Sequence, residues 1–251
     1  MKLRDKVALV TGGGSGIGEA SCYAFAREGA RVAVANRTLA KAEAVARSIE
    51  AKGGRAIAIG ANVARSADAQ RMIDEAVAEL GAPDIVFNNA GVSPAGRITD
   101  ISEADWDECL SIDLKSVFLV ARYAIPLMIE AGGGVILNTA GTFGMRAAAN
   151  KAAYSVAKAG VINLTRSIAL DYARDNIRCN AICPGYVDTP LNVGLPPAER
   201  DAFLEQYQPL RGIISADEVA ELAVYLASDA AKMITGQMFV IDGGQQAGLY
   251  A

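Results

Sequence analysis

"VALVTGGGSGIGEA", residues 7–20, runs from an apolar strand-like stretch through a glycine-rich turn into a helical pattern. Gly12, Gly16 and Gly18 stand in GxxxGxG spacing, with Ser15 and Ile17 between them. Such a turn aims backbone N–H groups past a helix N-terminus, where the helix dipole favours negative charge, as on a pyrophosphate. Glycines alone would suit any tight loop. Opening a β–α–β unit, they point to a dinucleotide site.

The same alternation continues along the chain. Strand-like runs lie at 6–12, 31–36, 55–63, 84–91, 134–140, 177–185 and 237–244. Helical patterns separate them at 17–28, 39–52, 66–80, 103–130, 152–175 and 217–228. Most runs are continuously apolar, as expected of strands covered on both faces. The pattern predicts an α/β protein, a doubly wound parallel sheet with helices on both faces, as one domain over residues 1–251. The one long irregular stretch, 186–212, reads as a lid. Within it "PAERDAFLEQ" predicts a short amphipathic helix, and Leu191, Val193, Leu195, Phe203 and Tyr207 supply apolar surface to close over a substrate.

The 251 residues are 52% hydrophobic and 21% charged, enough for a core without disulfide or metal. A net charge of −4 gives no sign of a nucleic-acid or anionic-membrane partner. No apolar run approaches the roughly 20 residues of a spanning helix. The first strand starts almost at Met1 with no signal-peptide pattern before it, so the expected location is cytoplasmic. Cys22, Cys109, Cys179 and Cys183 fit neither a zinc pair nor a redox CxxC and are expected to be reduced, packed thiols. The chain has no histidine, which excludes Ser-His triads, His-ligated metals and imidazole acid–base chemistry. No metal site is expected.

At the end of the second strand an acidic residue would bind the ribose 2′-hydroxyl and repel a 2′-phosphate. Here Asn36 removes that repulsion, and Arg37 adds a planar cation able to grip phosphate or stack on adenine. The cofactor choice, NADP(H) or NAD(H), therefore leans to NADP(H), although a solvated loop arginine would look the same. Farther along, "YSVAK" places Tyr154 and Lys158 four residues apart on one helix face. A neighbouring ammonium favours phenolate, so it should lower the tyrosine pKa and suit the phenol to exchanging protons with a substrate oxygen.

"TGGGSGIG", "NNAG" (88–91), "YSVAK" and "PGYVDTP" (184–190) occur in this order over nearly the whole chain, which thereby resembles the short-chain dehydrogenase/reductase family. The resemblance implies a seven-stranded Rossmann sheet, a small-molecule substrate and a homotetramer. It assigns Tyr154 as acid/base and Lys158 as its tuner and ribose ligand. It places Asn89, Gly91, Asn62, Val63, Pro184, Gly185, Val187 and Thr189 along the cofactor, with Asn62 replacing the family's Asp.

Two positions depart from the family. Its catalytic Ser falls on Gly141, which has no side-chain donor; Thr142, next door, is the candidate stand-in. Asp113 in "SIDLKS" replaces an Asn that helps hold a water leading to the Lys. If close, its charge would raise the Lys158 pKa and oppose ionisation of Tyr154, giving an alkaline pH optimum. "NKAAYS", "IRCNAICPGYVDTP" and "DEVAELAVYLASD" resemble the branch acting on small hydroxy or keto acids, including type 2 hydroxybutyrate and 2-keto-3-deoxy-sugar-acid dehydrogenases. That resemblance makes Lys151 a candidate carboxylate anchor, with Arg146 and Arg97 as further cations near the cleft mouth and Tyr186 as a substrate contact. The tail "QQAGLY" is expected at a subunit interface. Two functions follow: an NAD(P)-dependent enzyme interconverting a secondary alcohol and a ketone on a small hydroxy acid, keto acid or sugar-derived substrate, or a dinucleotide-binding protein of the same fold with weak or no catalysis.

Overall fold

The computed structural model describes residues 1–192 and 196–248. Seven strands form one parallel sheet in the order β3-β2-β1-β4-β5-β6-β7. They are β1 (Val7–Thr11), β2 (Arg31–Asn36), β3 (Arg55–Gly60), β4 (Ile85–Asn88), β5 (Gly134–Thr139), β6 (Ile177–Pro184) and β7 (Met238–Ile241). The helices are α1 (Gly16–Arg27), α2 (Leu39–Ala51), α3 (Ser66–Leu80), α4 (Glu103–Leu110), α5 (Ser116–Glu130), α6 (Ala152–Asp171), α7 (Pro197–Tyr207) and α8 (Ala216–Ala227).

Strand pleating splits the core into two layers. In β1, Ala8 and Val10 face a cluster with Phe25 of α1, Val45 of α2 and Val224 of α8. Val7 and Leu9 face the other side, with Met72 of α3, Val120 of α5 and Ile168 of α6. Both faces of the strand are buried, so its sequence is apolar throughout instead of alternating. The doubly wound α/β expectation holds.

The chain builds β1 to β3 outward in one direction, then returns to lay β4 beside β1 (Ala8↔Ile85, Leu9↔Val86). The two connections leave the strand ends on opposite faces and open a crevice beyond the C-terminal edge, the usual ligand position in such sheets. Buried amides brace its floor. Asn88 of β4 donates to Asn138 of β5 at 2.9 Å, and Asn138 donates to Thr165 of α6 at 2.9 Å.

One element differs from expectation. The helical pattern over 103–130 is not one helix but α4 and α5 joined by a π-helical turn, Ser111–Lys115, with Asp113 at its centre. The extra residue in the turn swings the Asp113 carboxylate inward, where the Val92 N–H donates to it at 2.9 Å. Hydrophobic periodicity does not reveal such a bulge, because α5 resumes its apolar face at once. In the lid, the helix expected over "PAERDAFLEQ" is α7; Val193 and Leu195 lie outside the described residues, as do Leu249 and Tyr250 of the tail.

Candidate active site

A cleft of about 370 Å³ runs along the C-terminal edge of β1, β4, β5 and β6. The glycine-rich turn forms one wall. A Cβ at Gly18 would collide with the Gly12 carbonyl oxygen, and one at Gly12 would stand 2.9 Å from the Ala90 Cα, so β1, α1 and the NNAG loop meet backbone to backbone. The glycines, with Ser15 and Ile17, thus make a shallow cradle before the α1 N-terminus, and Gly12, Ser15, Gly16 and Ile17 line the cleft. Asn89 locks the cradle to the sheet: its N–H donates to Thr11 Oγ1 at 3.0 Å, and its Oδ1 accepts from the Thr139 hydroxyl at 3.2 Å.

At the far end lie Asn36, Arg37, Asn62 and Val63. Asn36 Nδ2 donates to the Thr38 carbonyl at 3.0 Å, fixing the turn into α2. Arg37 is exposed and 3.8 Å from Glu108, a loose pair that costs little to break. Asn62 holds its own turn by accepting from the Ala64 N–H at 3.1 Å. Lys41, in the first turn of α2, joins them as a second cation. Sequence reading passed over Lys41, although its place in a helix starting beside Asn36 was a usable signal.

Tyr154 and Lys158 share one face of α6, with Lys158 Nζ 5.5 Å from the phenol ring centroid. Phe143 packs edge-on against Tyr154 at 6.5 Å between centroids and holds the ring. Lys158, 3% exposed, donates to the Thr139 carbonyl at 3.0 Å and lies 3.0 Å from Asp113 Oδ1. The expected proximity of Asp113 is therefore present.

The expected acidity of the phenol is not. Burial pushes the Tyr154 pKa up; Lys158 opposes that rise, Asp113 adds to it, and the net direction is above an ordinary tyrosine. The ammonium's pull and the opposition of Asp113 were both expected; what was not is the desolvation of a buried phenolate, which outweighs the ammonium. Burial works against the Lys158 charge, but Asp113 and Tyr154 more than offset it, so this ammonium is held above the usual lysine value. Asp113 is raised by burial, against the pull of Lys158 and the Val92 N–H.

Gly141 has φ 74° and ψ 161°, a backbone conformation open essentially to glycine only. A Cβ placed there would be 3.3 Å from the Tyr154 hydroxyl, so this position does face the reacting phenol. Thr142 follows it in a short 3-10 turn, buried and lining the cleft.

The opposite wall comes from the segment after β6. Gly185 donates to Ile241 of β7 at 2.9 Å, and Val187 bridges to Ile214. The Thr189 methyl would meet a Cβ at Gly16 at 3.0 Å, so this segment reaches across to the glycine-rich turn. Tyr186 lines the cleft, donates to the Asn192 carbonyl at 3.1 Å, and packs 6.3 Å from Phe203 of α7.

Lys151 also lines the cleft; its Nζ donates to the Ser93 carbonyl at 3.1 Å and hydroxyl at 2.9 Å. Burial lowers its pKa. Arg146 is not among the cleft-lining residues; it donates to the Gln245 carbonyl at 3.3 Å. Arg97 is exposed outside the cleft. Gln245 itself, buried after β7, faces the cleft, as do Ser93 and Asn192. Sequence reading missed all three; Gln245 comes to the cleft only because β7 pairs with β6. Among the described residues there is no metal-ligating cluster and no helix long and apolar enough to cross a membrane.

Comparison with known proteins matches residues 12–246 to the family model described as enoyl-(acyl carrier protein) reductase. The chain is 40% identical to the cis-4-hydroxycyclohexanecarboxylate dehydrogenase of Sinomonas cyclohexanicum, over 97% of each protein. It is 37% identical to the cyclohexanol dehydrogenase of Acinetobacter sp. (strain SE19), over 96% of this chain and 95% of that one. A crystal structure of a short-chain type dehydrogenase/reductase from Mycobacterium marinum superposes with a TM-score of 0.93 at 35% identity, covering 98% of each chain.

Proposed function

This chain belongs to the short-chain dehydrogenase/reductase family and is an oxidoreductase, and we propose that it interconverts a secondary alcohol and a ketone on a small carboxylate-bearing substrate with NADP(H). The observation that carries the reading is Tyr154 beside Lys158 in one cleft with a glycine-rich turn whose shape suits a pyrophosphate. A bound nicotinamide dinucleotide would supply or take the hydride. Gly12, Ser15, Gly16 and Ile17 would hold its phosphates, Lys158 and Asn89 the nicotinamide-side ribose, and the segment from Pro184 to Thr189 the carboxamide. Asn36, Arg37 and Lys41 favour a 2′-phosphate, because no carboxylate ends β2 and two cations line that end.

Tyr154 gives a proton to the substrate oxygen in reduction and takes it back in oxidation. Thr142 is the hydroxyl donor nearest in sequence to Gly141 and would polarise the carbonyl in place of a serine. Phe143, Tyr186, Leu191 and Phe203 offer apolar walls to a ring or short chain. Lys151 has two of its three N–H groups committed to Ser93 and a third left for a carboxylate. The relative named for a hydroxycyclohexane carboxylate supports that substrate class. Residues 186–212, carrying α7, act as the lid. We further propose a cytoplasmic homotetramer, as the family resemblance implies.

The retained Tyr–Lys pair and the dehydrogenases among its relatives favour catalysis over the alternative of a non-catalytic dinucleotide-binding protein. The test is a panel of cyclic and linear hydroxy acids, neutral alcohols and their ketones, followed by dihydronicotinamide absorbance with each cofactor. Turnover with NADP(H), lost in Tyr154→Phe, is expected. Cofactor binding without turnover on any substrate, or full activity in Tyr154→Phe, would overturn the reading.

A further inference from the structure

Three groups meet at the inner end of the cleft. Asp113 is wholly buried, and its two carboxylate oxygens do different things. Oδ2 is held by the Val92 N–H at 2.9 Å and the Cys109 thiol at 3.9 Å. Oδ1 has no aligned hydrogen-bond donor and lies 3.0 Å from Lys158 Nζ. The space for this contact depends on Gly91. A Cβ there would stand 2.6 Å from Asp113 Oδ1 and 3.5 Å from Lys158 Nζ.

An amide at position 113 could not play this part, because its N–H₂ would face an ammonium. The carboxylate makes a direct ion pair. A cation with a carboxylate at 3.0 Å presents its other neighbours with a dipole instead of a full charge, so its attraction for a phenolate is weakened. The surrounding groups do not restore it. From α4 comes Cys109 and from β6 Cys183, both thiols pushed up to about 12 by burial and uncharged at neutral pH. From the start of α6 comes Lys151, tied to Ser93. The charges buried against Tyr154 are thus one ammonium and one carboxylate, with half-buried Lys151 a further cation at the start of α6.

We propose that Asp113 is a positioning residue acting through Lys158: it weakens the pull of that ammonium on the phenolate, and so moves ionisation of the buried Tyr154, and alcohol oxidation with it, further into alkali. This deepens the oxidoreductase reading and rests on it. In reduction the carbonyl carbon receives a hydride, two electrons with one proton, from a reduced nicotinamide dinucleotide. The carbonyl oxygen receives the phenol proton, leaving Tyr154 as phenolate to be reprotonated from solvent. Oxidation reverses each transfer and needs the phenolate at the start. A site that holds its phenol protonated is ready for the first direction and waits on alkali for the second. The upward direction for Tyr154, set by burial and increased by Asp113, agrees.

The test reads the phenol itself. Phenolate absorbance is titrated in the wild-type protein and in Tyr154→Phe, with the difference assigned to Tyr154. No Tyr154 phenolate is expected below the ordinary tyrosine value of about 10. In Asp113→Asn the inflection is expected to fall by about one unit or more, giving roughly tenfold more phenolate at a given pH below it. A wild-type Tyr154 inflection below about pH 10, or one unmoved in Asp113→Asn, would overturn the proposal. If Asp113→Asn does not fold, the wild-type titration decides alone. No substrate is involved, so a phenol that titrates as expected in a protein that turns over nothing would sink the oxidoreductase reading and leave the role of Asp113 standing.

Discussion

Serine at position 141 would give this chain the hydroxyl that its family resemblance leads one to expect, yet the structure predicts that Gly141→Ser is damaging. With φ 74° and ψ 161°, the residue occupies a region where a side chain costs about 1–3 kcal/mol. In a chain of this size that strain lowers the unfolding midpoint by about 2–12 °C. The new Cβ would also stand 3.3 Å from the Tyr154 hydroxyl, tighter than ordinary contact. Escape by rotating the peptide would disturb the bonds that Ala140 and Gly141 donate to the Ile182 carbonyl, 2.8 and 3.3 Å. Thr142, seated in the following turn, would move with it. The expected outcome is a lower melting temperature and a lower kcat for ketone reduction, measured by calorimetry and initial rates. Gly141→Ala should lose the same stability, since the cost lies in the backbone and not in the hydroxyl. Unchanged melting with a higher kcat in Gly141→Ser would refute the reasoning and mean that this loop relaxes readily into a serine-compatible form.

Further substitutions separate the roles proposed for neighbouring side chains. Thr142→Val keeps the shape and removes the hydroxyl, so kcat should fall about 10²–10³-fold with cofactor affinity unchanged if Thr142 is the donor; a drop of less than threefold would hand that task to water or substrate. Lys151→Ala should raise KM for a carboxylate substrate about tenfold or more, as expected for loss of a charge-assisted hydrogen bond, and leave a neutral analogue almost unaffected. Equal changes for both substrates would remove Lys151 as the anchor. Lys41→Ala, alone and with Arg37→Ala, should raise KM for NADP⁺ severalfold while sparing NAD⁺, because only the former carries a 2′-phosphate; parallel changes would mean that neither cation reads the 2′ position.

Elements whose physics is local were legible. Continuous apolar runs gave seven strands because each is sandwiched between helix layers, and the GxxxGxG spacing marked the cradle because the close packing of Gly18 on Gly12 is a matter of six residues. The spacing of Tyr154 and Lys158 fixed their shared face for the same reason. What failed depended on distant segments. Arg146, expected near the cleft mouth, is not itself a lining residue: its guanidinium donates to the carbonyl of Gln245, which does line the cleft and arrives from beyond β7. Gln245 itself went unseen, since it reaches the cleft only because β7 pairs with β6 at the sheet edge (Pro184↔Ile241). The break between α4 and α5 was hidden because the Val92 N–H and Lys158 that hold Asp113 inward belong to other elements.

The sign of the phenol's shift shows why distance along a helix is a poor guide to acidity. One turn of α6 sets the Lys158 Nζ 5.5 Å from the Tyr154 ring centroid, and a sequence holds no more than that. The field at the phenol depends on what lies beyond the cation. Here it is a carboxylate in a π turn, admitted only because residue 91 has no side chain. It depends as well on how far water is excluded, and burial is the largest cause of the shift. A dry phenol beside a neutralised ammonium gives up its proton only when the acceptor gains charge in the same step, as a carbonyl oxygen does on receiving hydride. Such a site has little use for phenolate in the ground state, and the donor that polarises the carbonyl then carries more of the barrier. For that reason the outcome at Thr142 bears on the whole mechanism and not only on the vacant serine position.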